Sequence, residues 1–152
     1  MPKLFSSQDK KFLNQIEKTE RDLNKFICNN WENLFPQYKL IKSEFKLIGN
    51  VRSIGTDGRI DILAYNPTTQ KFVIFELKKN YDKNITDQVA DYRDYIQDNF
   101  ENTYIRTIQD YNINLPKYDE ISHDQVEIIL IAKKFSITQL DRVKKLNKKD
   151  NN

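Results

Sequence analysis

The sequence predicts an α/β fold of three layers, α/β/α, in which helices cover both faces of a central mixed sheet. Three observations predict it. The stretch from Gly58 to Lys79 reads as two apolar strands, Arg59 to Tyr65 and Lys71 to Leu77, joined by a turn-forming Asn66-Pro67-Thr68-Thr69-Gln70. Side chains alternate across a pleated sheet, so Phe72, Ile74, Glu76 and Lys78 share one face while Val73, Phe75 and Leu77 share the other. Both faces are apolar, which is the pattern of a central strand covered on two sides. After this hairpin come an amphipathic helix and a further apolar strand, an order that favours parallel pairing within a mixed sheet.

At 152 residues the chain is expected to form a single domain spanning residues 1–152. That length buries roughly two thirds of the unfolded surface. With 38% hydrophobic and 31% charged residues, the composition is that of a globular protein. No apolar run reaches membrane-spanning length and the polar N-terminus does not resemble a signal peptide, so a cytoplasmic protein with no membrane partner is expected. The lone Cys28 excludes an intrachain disulfide and a zinc site built from several cysteines. His123 is the only histidine, so carboxylates must supply any catalytic metal site. The net charge of +3 owes much to Lys144, Lys145, Lys148 and Lys149, a pattern compatible with nucleic acid and equally with a solvated tail.

In chain order, Ser6 or Ser7 caps a first helix from near Gln8 to Asn29 or Asn30, with Phe12, Ile16, Leu23, Ile27 and Trp31 as its apolar stripe. At about 100° per residue, Glu20 falls between Ile27 and Trp31 on that stripe, where a core residue is expected. Pro36 ends the helical region, and Tyr38 to Ile48 reads as a strand bent near Lys42. Gly49 to Gly58 is a loop. In the hairpin, Ile60, Ile62 and Ala64 face one way and Asp61, Leu63 and Tyr65 the other. A polar turn, Asn80 to Asn84, leads to a helix from about Ile85 to Asn99 whose buried stripe is Ile85, Val89, Tyr92 and Ile96. Gln88 and Tyr92 lie one turn apart on the same side of it. Phe100 to Asp124 lacks a clear period and reads as a long loop, or as one hiding a short helix or strand near Thr103 to Ile108. Val126 to Ala132 is a buried strand, and Ser136 opens a last helix carrying Ile137, Leu140, Val143 and Leu146.

The charged interruptions of the hairpin carry the chemistry. Asp61, Glu76 and Lys78 emerge from a sheet that is otherwise apolar. Burying charge is costly unless it is paired or bound to a metal, and two neighbouring carboxylates repel unless a cation or proton intervenes. A divalent metal would resolve that repulsion. The bland alternative is a solvated Glu/Lys pair on a surface strand, which the apolar setting on both faces disfavours.

The order Gly58-Arg59-Ile60-Asp61, a hairpin, then Glu76-Leu77-Lys78 resembles the PD-(D/E)xK nuclease superfamily, particularly its RecB-like and NucS-like branch. Ile60 stands where the motif's name has Pro. Glu20-Arg21-Asp22-Leu23 looks like the first-helix glutamate of that branch, and Gln88 to Tyr92 resembles its QxxxY motif. The resemblance implies a restriction-endonuclease-like core and a magnesium-dependent deoxyribonuclease, an endonuclease ahead of an exonuclease. Asp61 and Glu76, with the backbone carbonyl of Leu77, would hold Mg²⁺, with Mn²⁺ as a substitute. Lys78 would orient or help deprotonate the attacking water, Gln88 would position solvent, and Tyr92 would support that helix against the site. Glu20 and Glu44 are the two candidates for an additional acid. DNA is the expected partner, RNA being open as well, with a homodimer or a second protein supplying target recognition. The alternative is a noncatalytic nuclease-like module for DNA binding or assembly.

Overall fold

The structure is a computed structural model that describes residues 3–5, 20–51, 54–55, 58–78, 84–123, 125–132 and 145–146. Its elements are β1 (Lys3–Phe5), α1 (Glu20–Asn29), α2 (Trp31–Leu34), β2 (Lys39–Lys46), β3 (Arg59–Asn66), β4 (Lys71–Lys78), α3 (Ile85–Asp98), α4 (Phe100–Gln109), a 3-10 turn (Tyr118–Glu120) and β5 (Glu127–Ala132). The expected capping serines, the first part of the long N-terminal helix, Asn80 to Lys83 of the polar turn and most of the last helix lie outside the described residues, as does most of the basic tail.

The five strands form one mixed sheet in the order β1-β5-β4-β3-β2. β2 pairs with β3 and β3 with β4 in antiparallel fashion, while β4 pairs with β5 in parallel, Glu76 lying opposite Leu130. The parallel pairing expected after the hairpin is therefore present. β1 was not anticipated; it adds to the far side of β5 in parallel, Leu4 opposite Leu130. Three residues are too few to show a period.

Each face of the hairpin packs against a different set of helices. Val73, Phe75, Leu77, Ile62 and Ala64 pack with Leu23, Ile27, Trp31 and Phe35 of the α1–α2 region. Phe72, Ile74, Leu63 and Tyr65 pack with Tyr92, Ile96 and Phe100 of α3 and α4. Ile60 departs from the expected alternation, joining this second cluster instead of the first. The reason is local: the ladder loses its regularity at this end of β3, as described below.

The turn between β3 and β4 is held by Asn66, whose Oδ1 accepts the backbone N–H groups of Thr68 at 3.0 Å and Thr69 at 3.4 Å. Its Nδ2 donates to Glu127 Oε1 at 2.9 Å, tying the turn to the start of β5. The bend expected near Lys42 is a one-residue slip in the β2–β3 register between Leu40 and Lys42. The aperiodic segment after residue 100 contains a full helix, α4, rather than a long loop. Its inner face is built from Phe100, Thr103 and Thr107, and buried threonines in place of aliphatic residues hide the helical period.

Candidate active site

Two antiparallel strands part company at Asp61. The β3–β4 register ends at Ile62 opposite Phe75, and beyond it the Leu77 N–H donates to Asp61 Oδ2 at 2.7 Å, a side chain taking a main-chain group of the neighbouring strand. On the other side of β3, the β2 register pairs Ser43 with Ile62 and Phe45 with Ile60, but omits the intervening pair, Glu44 and Asp61. Glu44 has a left-handed backbone, φ 56°, which kinks β2 at this position before the pairing resumes at Phe45. Asp61 thus sits where the sheet is irregular on both sides.

Glu76 stands toward the C-terminal end of the adjacent strand β4, buried to 3% exposure. Its Oε2 has no hydrogen-bond partner. Burial pushes the Glu76 carboxyl well above the usual carboxylate range, and the Asp61 side chain pushes the same way through a hydrogen bond and through its negative charge. Lys78 opposes that shift and Glu20 adds to it, so all four charged side chains fall within one electrostatic neighbourhood. Lys78 Nζ lies 3.9 Å from Glu20 Oε2, with the glutamate side chain half exposed, a contact at the outer limit of an ion pair. Glu20 is not the core residue that its place on the helical stripe suggested; it is exposed, with its carboxylate toward Lys78.

Tyr92 closes the other side from α3. Burial raises its phenol far above the ordinary tyrosine range, and the charges of Glu76 and Asp61 raise it further, while a backbone hydrogen bond with Arg59 acts in the opposite direction. It is therefore a neutral phenol packed beside the acidic pair. Gln88, one turn earlier, is half-buried, and among the described residues its side chain makes no hydrogen bond to Asp61 or Glu76. Glu44 is exposed, and its left-handed backbone takes it out of the ladder opposite Asp61.

Among the described residues, no group of three or more Asp, Glu, His or Cys side chains is arranged to hold a metal. What is present is a pair of carboxylates, one of them buried with an orphaned oxygen. Hard divalent cations take oxygen ligands, and Mg²⁺ in particular is held by one or two carboxylates with water completing its shell. The donor chemistry of Asp61 and Glu76 fits such an ion.

One residue of this site escaped the sequence reading. Asn24, one turn after Glu20 on α1, is buried and donates its Nδ2 to the Asp61 carbonyl at 2.9 Å. Its Oδ1 accepts Ser43 Oγ at 2.6 Å and Cys28 Sγ at 3.3 Å. The signal was its position on the inner arc of the helix with Ile27 and Trp31. The single histidine is used elsewhere: its ring stacks on Phe100 with centroids 4.4 Å apart, and its Nε2 bonds to the Tyr118 carbonyl at 2.8 Å.

Comparison with known proteins adds one relative. An uncharacterized protein of Haemophilus influenzae strain Rd is 27% identical over 142 residues, which is 91% of this chain and 43% of the relative. The chain thus spans less than half the length of the curated protein it matches. No family model and no solved structure matches the chain.

Proposed function

We propose that the protein is a metal-dependent nuclease hydrolysing phosphodiester bonds in DNA, built on a restriction-endonuclease-like core. The observation that carries the reading is the buried carboxylate of Glu76, its Oε2 unpartnered, set against Asp61 where β3 and β4 separate. A desolvated pair of acids is unfavourable in itself and becomes favourable when a cation occupies it. Asp61, Glu76 and the Leu77 carbonyl would hold Mg²⁺ or Mn²⁺. When bound, such an ion supplies Lewis-acid stabilisation of a phosphoryl oxygen and a more acidic water.

The chain's own groups do the rest. Lys78, partly shielded at the end of β4, orients the attacking water and offsets phosphate charge. Tyr92 excludes solvent from the α3 side of the pair, and Glu20 lies across Lys78 as the additional acid at the rim. Gln88 is assigned to positioning solvent on the strength of the resemblance alone.

The test is incubation of the purified protein with plasmid and with single-stranded DNA in Mg²⁺, Mn²⁺ or chelator. Metal-dependent cleavage is expected, and Glu76→Ala is expected to abolish it while circular dichroism stays unchanged. Undiminished cutting by a clean Glu76→Ala preparation sinks the assignment. Metal-independent DNA binding without cleavage would favour a noncatalytic module instead.

A further inference from the structure

The geometry points to Asn24 as the positioning residue of the metal site: its buried carboxamide fixes the backbone of Asp61 and thereby aims the Asp61 carboxylate at Glu76. This inference rests on the nuclease reading, because the carboxylate pair is taken as the metal ligands. A buried carbonyl needs a donor, and in a regular sheet the neighbouring strands supply it. At Asp61 both neighbours are disturbed. Toward β4, the Leu77 N–H bonds to the aspartate side chain. Toward β2, the left-handed Glu44 removes the opposing pair from the register.

Asn24 supplies the donor from a third direction, reaching from α1 to the Asp61 carbonyl at 2.9 Å. The amide is itself fixed, since Ser43 Oγ on β2 and Cys28 Sγ on α1 both approach its Oδ1. With Oδ1 accepting hydroxyl and thiol, Nδ2 is left facing β3, so the orientation of the amide follows from its partners. α1, β2 and β3 are pinned at one point by Asn24, a side chain only 7% exposed. Held at its carbonyl by Asn24 and at its carboxylate by Leu77, Asp61 keeps one orientation toward Glu76. Groups that orient a metal ligand from behind are worth about 10–100-fold in affinity or activity when removed.

Calorimetric titration of the metal-free protein with Mn²⁺ reads this without substrate. Asn24→Ala and Asn24→Asp, which delete the donor, are expected to weaken Mn²⁺ binding by about 10–100-fold. Ser43→Ala, which only frees the amide to turn, is expected to weaken it less and in the same direction; it carries the test if the Asn24 variants do not fold. Val73→Ala, which trims the cluster under α1 and α2 at the other end of β4, opposite Ala64, is expected to lower the melting temperature and leave Mn²⁺ affinity at the parent value. In cleavage assays the Asn24 variants are expected to lose kcat with KM for DNA unchanged. Asn24 variants that lose stability yet bind Mn²⁺ as the parent does overturn the positioning role alone. A parent protein that neither binds Mn²⁺ nor cleaves DNA overturns the nuclease reading, and the role of Asn24 with it.

Discussion

At the scale of the residue, the two acids are not equivalent, and stability measurements separate them. Glu76 is buried with an unpartnered oxygen, and its folded-state pKa is raised well above the ordinary value of 4.5. For an acid raised in this way the native state holds more protons than the unfolded chain. The stabilising contribution is complete below pH 4.5 and is lost as pH rises through the folded value. The metal-free parent is therefore expected to lose stability with rising pH relative to Glu76→Gln, whose neutral amide has no such charge and can donate to Asp61. Melting curves across pH should show the two proteins converging near pH 4.5 and diverging above it, with Mg²⁺ raising the parent and scarcely moving the variant. A parent stabilised by rising pH would mean that Glu76 is held ionised by a cationic partner. Asp61 differs in having a partner that Glu76 Oε2 lacks, its carboxylate accepting the Leu77 N–H at 2.7 Å.

Among the elements, the ones whose side chains follow a simple period were legible and the irregular ones were not. The two apolar faces of β4, the starts of both hairpin strands, each of which runs one residue further than expected, and the buried stripe of α3 follow from alternation and from the helical repeat. The pair Asp61 and Glu76 was legible for the same reason, as charge in an apolar pattern. Ile60 was misplaced because alternation fails where a ladder is broken, and nothing in the letters Ser43-Glu44-Phe45 announces a left-handed residue. Asn24 was missed because a helix period says where a residue faces, not whether its polar group finds a partner. The Glu44 kink is itself testable. A non-glycine residue in the left-handed region costs roughly 1–2 kcal/mol, and glycine returns roughly 0.5–1 kcal/mol of that through its greater unfolded-state freedom. Glu44→Gly is expected to stabilise the protein by about 0.5 kcal/mol in urea unfolding. A clear loss of stability would show that the Glu44 side chain holds the kink in place.

Across the whole molecule, the aromatic part of the contact between the α1–α2 layer and the sheet centres on one ring. Phe75 is fully buried, and its ring lies 5.0 Å from Trp31, 4.9 Å from Phe35 and 5.7 Å from Tyr38. Phe75→Ala is expected to cost about 3–5 kcal/mol, read as a lowered denaturation midpoint, because it opens a cavity between two layers. A cost below about 1 kcal/mol would mean that the layer closes over the gap. The opposite flank of the sheet is governed by different physics. β2 is an edge strand, and an edge offers its free backbone groups to any extended chain that comes alongside. Here the row is broken twice, by the slip after Leu40 and by the kink at Glu44, and it carries exposed Lys39, Lys42 and Lys46. An incoming strand would meet hydrogen-bonding groups out of step and three cations to desolvate. The irregularity that frames Asp61 therefore also guards this border of the sheet against polymerisation, so that a second copy approaching β2 meets side chains and not a template for a sixth strand.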